Sequence, residues 1–561
     1  MLFGRVVPKL VFASSLVGLG LGFGKLVSAA RLVDFQVAQP PPVPEDAKTC
    51  EVEILEHTFG NSYGSPAIVS FTPPTDCGEV GSWAGITLNL TVTSNGTQYD
   101  RLGIMTFQNV EIWRTSTPEP VSGDGIIWTY VKDVTRYLPL FATDGTFIFE
   151  LDNILTDVDT GQYAATLSAT FYESSSEYHT AAHSDLIIPL STLSNNTGND
   201  ASVPPAFSIN VTVPTNAITA YAELYASGNS EEEFWYYNVA NDYLSDLPSG
   251  TTYGDGPFRE VRILVDGMVA GVAFPYAVIF TGGIVPAAWR PIAAYGALDL
   301  PTHFLDLTPF IPILTDGSPH NITLDVVSAE SNHTINSNWY LSGLLQIELD
   351  STDTPTTGNI TKYEVEEYAQ ATSGGSVSAS GDLTVTVGAT RSVRIESEIW
   401  TGSGDKVEVV FKQEMQFENV QSYVNNASIQ IVTQTSKGSI SSTHNGVQVL
   451  KDDFSYPLWA NLTFLTPDED NFTATIDHSY ERSLLPSPFI LGSDIQEHQI
   501  AGGTYHLAST GNTGSQGISN NTFSYSDDAG NTYSRQVGAY EYNITYDTQS
   551  GSLAAAEGVP T

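Results

Sequence analysis

Apolar and polar residues alternate with period two along most of the chain. In Ile86-Thr87-Leu88-Asn89-Leu90-Thr91-Val92-Thr93 every second residue is apolar, the mark of a strand with one face on a core and the other toward water. The same alternation returns in Ala165 to Phe171, Val261 to Val265, Leu383 to Val387 and Val407 to Phe411. No stretch carries the three-to-four-residue spacing of an amphipathic helix. Between the alternating runs sit Thr143-Asp144-Gly145, Asp266-Gly267, Thr315-Asp316-Gly317-Ser318 and Asn445-Gly446, residues that supply the positive φ values tight hairpins need. The pattern predicts an all-β protein of stacked antiparallel sheets, sandwiches or jelly rolls.

Two polar stretches interrupt this rhythm, Ser191 to Pro205 and Asp350 to Gly358, and serve as boundaries. They divide the chain into a first jelly roll at 31–190, a second at 191–352 and a C-terminal, sandwich-like accessory β-domain at 353–561. Ahead of them, Arg5 and Lys9 precede an apolar run from Leu10 to Phe23, followed by the small residues Ser28-Ala29-Ala30. That is the layout of a secretory signal peptide over residues 1–30. Lys25 cuts the run short of the roughly 20 apolar residues a spanning helix needs. The alternative reading is an uncleaved anchor, which would hold the protein to a membrane by one N-terminal pass.

Composition agrees with a secreted or cell-wall-associated protein. Asn89, Asn95, Asn195, Asn210, Asn321, Asn332, Asn359, Asn426, Asn461, Asn471, Asn520 and Asn543 each begin an Asn-x-Ser/Thr acceptor, and glycans on them require surface positions. The 2 cysteines, Cys50 and Cys77, are expected to pair in an oxidising compartment, contributing about 3 to 4 kcal/mol by loop closure. A net charge of −42 argues against nucleic acid or an anionic membrane as partner. With 15% charged and 11% aromatic residues the chain is nonetheless a folding one rather than an acidic disordered tail.

Several local motifs read as structure rather than chemistry. Gly60-Asn61-Ser62-Tyr63-Gly64 matches the nucleophile-elbow pattern, but Pro66 and a β-like run follow where that elbow needs a helix. His179 and His183 lack a third ligand and a helix to align them. Asp157-Val158-Asp159-Thr160-Gly161 lacks the distal glutamate of a calcium loop and reads as a turn. Glu231-Glu232-Glu233-Phe234-Trp235-Tyr236-Tyr237 fits a solvated acidic face or a sugar-binding cleft equally well. In Tyr99-Asp100-Arg101-Leu102 the ion pair is either a surface contact of little energy or a means of holding the aspartate ionised as a general base.

Taken in order, Leu55-Glu56-His57-Thr58-Phe59-Gly60-Asn61-Ser62-Tyr63-Gly64, Tyr99-Asp100-Arg101-Leu102-Gly103-Ile104, Trp113-Arg114-Thr115-Ser116-Thr117-Pro118-Glu119-Pro120, Glu232-Glu233-Phe234-Trp235-Tyr236 and Thr281-Gly282-Gly283-Ile284-Val285-Pro286-Ala287-Ala288-Trp289-Arg290-Pro291 resemble the glycopeptidase A (peptide-N-glycosidase A) family of plants and fungi. The resemblance runs from about residue 33 to residue 350. It implies two tandem jelly rolls with a site at their junction, and an amidase that cuts the amide between an N-glycan and asparagine, leaving aspartate and a glycosylamine. It also implies tolerance of core α1,3-fucose, N-glycopeptides or unfolded N-glycoproteins as substrates, and no metal or cofactor.

The same resemblance distributes roles. Asp100 takes the place of the principal catalytic carboxylate and Arg101 that of its electrostatic partner. Glu232 or Glu233 becomes an acid or substrate clamp, Trp235 and Trp289 sugar platforms, and Arg290 a holder of the core sugar or the amide oxygen. Glu150 or Asp152 corresponds to a further carboxylate, and His57 and Tyr63 are substrate-binding candidates. Two rival readings stand beside the amidase: a catalytically inactive N-glycan-binding protein and a glycosidase using paired carboxylates.

Overall fold

The computed structural model describes residues 32–44, 46–466, 471–508, 511–512 and 516–555; the candidate signal peptide lies outside them. Strands dominate the described residues, and the helical elements are short, most of them single turns such as Leu138–Phe141 and Ile311–Leu314. Each of the alternating runs named above is a strand: Gly85–Asn95, Gln162–Tyr172, Glu260–Val265, Leu383–Trp400 and Lys406–Val424. Asp266-Gly267, between Glu260–Val265 and Met268–Ala273, and Asn445-Gly446, between Ile429–His444 and Val447–Phe464, are hairpin turns, with φ of 48° and 82°, and 51° and 78°. Positive φ at both turn residues gives the mirror-type turn that matches strand twist.

The first sandwich packs a 6-stranded sheet, in which Gly85–Asn95 lies between Ile126–Asp133 and Gln162–Tyr172, against the 4-stranded sheet Ala67–Phe71, Gly145–Leu151, Leu102–Phe107 and Val110–Ser116. Its core is aromatic, with Phe59, Trp83, Trp113, Trp128 and Phe171 withdrawn from solvent. Cys50 and Cys77 are disulfide-bonded at its edge, 5.7 Å apart at Cα. The second sandwich packs a 5-stranded sheet centred on Asn338–Leu349 and Ala217–Asn229 against a 4-stranded one of Phe207–Val211, His320–Val327, Glu260–Val265 and Met268–Ala273. Leu186–Leu190, which the sequence assigns to the first jelly roll, pairs instead with Asn338–Leu349. It is an edge strand there, which tolerates the missing N–H of Pro189.

The C-terminal region is not a sandwich of its own. Thr357–Val365 through Asn543–Ser550 form one 12-stranded antiparallel sheet. Strands such as Leu383–Trp400 bury every second residue, so one face is covered and the other open. The covered face merges with the second sandwich, since Val385, Phe411 and Leu458 belong to the same core as Trp235 and Trp339.

A seam of buried ionic groups fixes the two sandwiches to each other. Arg114 pairs with Glu111 through both guanidinium arms at 2.7 Å and crosses to Ser227 Oγ at 2.9 Å and the Tyr340 carbonyl at 2.7 Å. Arg136 and Tyr137 reach Glu223 at 2.6 and 3.0 Å. Breaking such a pair strands a buried charge, at about 3–5 kcal/mol, so the junction behaves as a stiff joint. Among the described residues no helix is long and apolar enough to cross a membrane.

Candidate active site

A cleft of about 390 Å³ opens where the two sandwiches meet. The first sandwich contributes Asp100 and Arg101, which lead into strand Leu102–Phe107, and Glu150 and Asp152 at the end of strand Gly145–Leu151. Strand Ala217–Asn229 of the second ends in Gly228 and the single 3-10 turn Ser230–Glu232, which delivers Glu233. Gly228 is required there, because a Cβ would fall 2.1 Å from the Glu232 carbonyl oxygen. Ser230 holds φ of 57°, a left-handed value uncommon for a non-glycine residue and frequent at functional sites.

Asp100 and Glu233 face each other across this cleft from different domains. Burial pushes the Glu233 carboxyl up to about 8, and the neighbouring Asp100 charge adds to the rise. Burial also raises Asp100, against the Gly282 N–H that donates to it and the cations Arg101 and Arg290. Two carboxyls this close titrate as a pair. The groups that favour a charge are gathered around Asp100, so the anion rests there and the proton on Glu233.

Arg101 is held in place by Gln98 Oε1 at 2.6 Å, Asn153 Oδ1 at 3.3 Å and, at its backbone N–H, Thr117 Oγ1 at 2.9 Å. The loop carrying Gly282 is strapped to the first sandwich by Thr281 Oγ1, which donates to the Thr117 carbonyl at 2.6 Å. Arg290 donates to the Glu119 carbonyl at 2.7 Å and to its carboxylate at 3.1 Å. Glu119 is pushed up to about 7 by burial, against Arg290 and with Asp100 adding to the rise. Behind Arg290 lies Asp34, fully withdrawn from solvent. Neither of its carboxylate oxygens has a hydrogen-bond partner among the described residues, and burial raises it to about 7 against Arg290.

The far end of the cleft is acidic as well. Glu150 accepts from the Gly198 N–H and is raised to about 7, chiefly by burial. Asp152 accepts from the Gly64 N–H at 2.9 Å, and Asp200 is raised to about 6 by burial against Arg114. Tyr63, 71% exposed, and Tyr340 stand at the rim.

Other candidates lie elsewhere. Glu232 is buried and saturated by Arg259 at 2.5 and 2.6 Å, Trp339 Nε1 at 2.8 Å and the Asn336 N–H at 2.9 Å. These partners hold its carboxyl below the usual range despite burial. It ties the turn down and does not reach the cleft. Trp235 packs on Trp339, ring centroids 6.1 Å apart, and Trp289 donates to the Gly283 carbonyl at 2.7 Å. Both are buried, so neither ring offers a face to a sugar. His57 is exposed on strand Thr49–Phe59 against Phe59, and it is not among the residues lining the cleft.

Ser62 is no nucleophile: its hydroxyl donates to the Leu151 carbonyl at 2.7 Å and is buried. His179 and His183 sit in an exposed loop, and residues 157–161 form a turn. Among the described residues no group of acids, histidines and cysteines is arranged to hold a metal. Glu119, Asp34 and Asp200 are additions the sequence reading missed. Glu119, flanked by Pro118 and Pro120 in a conspicuous stretch, carried a signal; Asp34 showed only as the charged member of the apolar strand Leu32–Gln36.

None of the Asn-x-Ser/Thr asparagines is buried. Asn95, Asn195, Asn210, Asn332, Asn359, Asn426 and Asn543 are exposed, and Asn89, Asn321, Asn461, Asn471 and Asn520 are half-buried.

Residues 39–366 match the family described as peptide N-acetyl-beta-D-glucosaminyl asparaginase amidase A, and residues 384–458 match its C-terminal domain, PNGase_A C-terminal domain. Over 355 residues the chain is 36% identical to the peptide-N4-(N-acetyl-beta-glucosaminyl)asparagine amidase A of Prunus dulcis. That alignment covers 59% of this chain and 59% of the almond-tree protein. Two solved structures of PNGF-II, in the P21 and C2 space groups, align at 13% identity with TM-scores of 0.34 and 0.36, over 54% of this chain and 66% of theirs.

Proposed function

Since the chain belongs to the peptide N-acetyl-beta-D-glucosaminyl asparaginase amidase A family, we propose that it hydrolyses the amide joining an N-glycan to asparagine, acting on N-glycopeptides or unfolded N-glycoproteins. One observation carries this reading: Asp100, backed by Arg101, Arg290 and the Gly282 N–H, and Glu233, raised by burial, face a single cleft from two domains.

An amide resists attack because its carbonyl is a weak electrophile and its nitrogen a poor leaving group. Asp100 orients a water and takes its proton as the oxygen attacks the asparagine side-chain carbonyl carbon. Arg101, clamped by Gln98 and Asn153, supplies fixed positive charge for the oxyanion that forms. Glu233 delivers its proton to the departing nitrogen, which leaves as a glycosylamine and later sheds ammonia in water, while the peptide keeps an aspartate. Arg290 balances Asp100 and Glu119, and the Glu150, Asp152 and Asp200 wall offers acceptors to sugar hydroxyls.

The compartment follows from the same reading. We place the protein in the secretory pathway, secreted or wall-associated, on the strength of the disulfide and of acceptor asparagines that all keep access to solvent. The direct test is Asp100→Asn assayed for glycan release from a denatured glycopeptide. A loss of 100-fold or more in kcat/KM, roughly what removal of a general base costs, is expected. Retained activity would remove Asp100 from the mechanism.

A further inference from the structure

Glu233 faces the cleft, and the next residue, Phe234, lines a second space. This chamber of about 60 Å³ lies between the second sandwich and the C-terminal sheet. Phe234, Tyr237 and Ile284 wall it on one side, Leu462 and Phe472 on the other, and Ser230 lines both the chamber and the cleft. About 10–15 Å³ already admits a water-sized group, so the chamber has room for a small substituent.

The two spaces are neighbours through Gly282-Gly283. A Cβ on Gly282 would fall 2.3 Å from Asp100 Oδ1 and 2.9 Å from Glu119 Oε1, and one on Gly283 would fall 3.4 Å from the Phe234 ring. A single peptide unit therefore separates the Asp100 and Glu119 carboxylates from an aromatic wall. Ile284, which follows, is held at φ of 61°, a conformation β-branched residues avoid. The fold keeps it there, on the chamber wall.

On the proposed amidase substrate, the sugar next to asparagine bears an oxygen or a nitrogen on every carbon of its skeleton. Its one purely apolar group is the acetamido methyl, borne on the carbon adjacent to the one that carries the scissile nitrogen. That group lies within a few bonds of the scissile nitrogen and so near Asp100 during reaction, where the cleft sets Leu102, Ile104 and Phe280 among the acids Asp100, Glu150, Asp152, Asp200 and Glu233, while the chamber beside it is walled chiefly by apolar side chains. We propose that the chamber is the subsite for this acetamido methyl, and that Leu462 and Phe472 make the C-terminal sheet part of the substrate site. The inference rests on the amidase reading of the cleft.

The test uses the full-length protein and glycopeptides that differ only in the acyl group on the core sugar: N-acetyl, N-propanoyl and N-butanoyl. A chamber of this size predicts that kcat/KM falls by tenfold or more over this series, about what one or two methylenes are worth in a tight pocket. Leu462→Ala, which enlarges the chamber, is expected to recover the N-propanoyl substrate relative to the N-acetyl one; a purely structural role would lower both alike. If Leu462→Ala unfolds, the wild-type series still decides. A flat series, or an unchanged ratio in a folded variant, overturns the subsite. Calorimetry with free N-acetylglucosamine and glucose separates the two readings: preference for the N-acetyl sugar without any glycan release keeps the chamber and removes the amidase, whereas release without acyl preference does the reverse.

Discussion

Glu232 accepts from Arg259, Trp339 and Asn336, while Glu233 beside it lines the cleft and feels the Asp100 charge. Neighbours in a 3-10 turn point about 120° apart, so one of an adjacent pair enters the core and the other the cleft. Composition shows three adjacent glutamates, and which one faces the cleft depends on how the turn is docked, which no local pattern carries. Glu232→Gln is expected to lose about 3–5 kcal/mol of stability in denaturant unfolding, because it leaves Arg259 without a countercharge. Glu233→Gln keeps the shape of the protonated acid and is expected to retain the fold while losing activity by 100-fold or more. Equal behaviour of the two variants would contradict the assignment. The Asp100-Arg101 neighbours ahead of a strand read equally as a surface contact or a general base with its cation, and only the family resemblance gave Asp100 its role. The tryptophans misled, since an indole beside a charged residue reads as a platform although burial makes it a strut.

Strands and hairpin turns were readable because period-two alternation and positive-φ residues are local properties. The form of the C-terminal region was not, since a half-covered single sheet and one leaf of a sandwich leave the same alternation. Long-range pairing alone placed Leu186–Leu190 in the second sandwich. The C-terminal sheet also braces the loops of the cleft. Gln421 Nε2 donates to the Asn238 carbonyl at 2.8 Å and Asn419 Nδ2 to the Tyr236 carbonyl at 3.0 Å, steadying the segment after Glu233. A Cβ on Gly517 would meet the Ala287 carbonyl oxygen at 1.8 Å, so strand Gln516–Asp527 touches the turn Pro286–Trp289 that leads into Arg290. Gly517→Ala is therefore expected to lower both the melting temperature and kcat by pushing this turn toward the cleft. Gly374→Ala, on an edge strand of the same sheet with open space at its Cβ, serves as the control and is expected to change neither.

As a whole the molecule is acidic, with a net charge of −42, and it stores protons. Burial raises Asp34, Glu119, Glu150 and Glu260 to about 7, and Glu233 and Glu497 to about 8. In the unfolded chain the same groups release their protons near 4, so between these limits the folded state binds more protons and stability falls as pH rises. Lower pH also relieves self-repulsion. The melting temperature is expected to be highest near pH 4 to 5, at the low end of that interval where most of these contributions remain, and to decline through pH 7 to 8; a rise over that interval would contradict the raised carboxyls. Activity should follow a bell, lost on the acid side as Asp100 gains a proton and above about 8 as Glu233 loses one.

Water driven by Asp100 and Glu233 onto the asparagine side-chain amide leaves its oxygen in the peptide. Incubating a glycopeptide with the protein in heavy-oxygen water and weighing the products tests it directly. The expected products are an intact released glycan and a peptide whose asparagine has become aspartate carrying one solvent oxygen. A peptide that keeps an unaltered asparagine, whether with a residual sugar or with the whole glycan still attached, would contradict it.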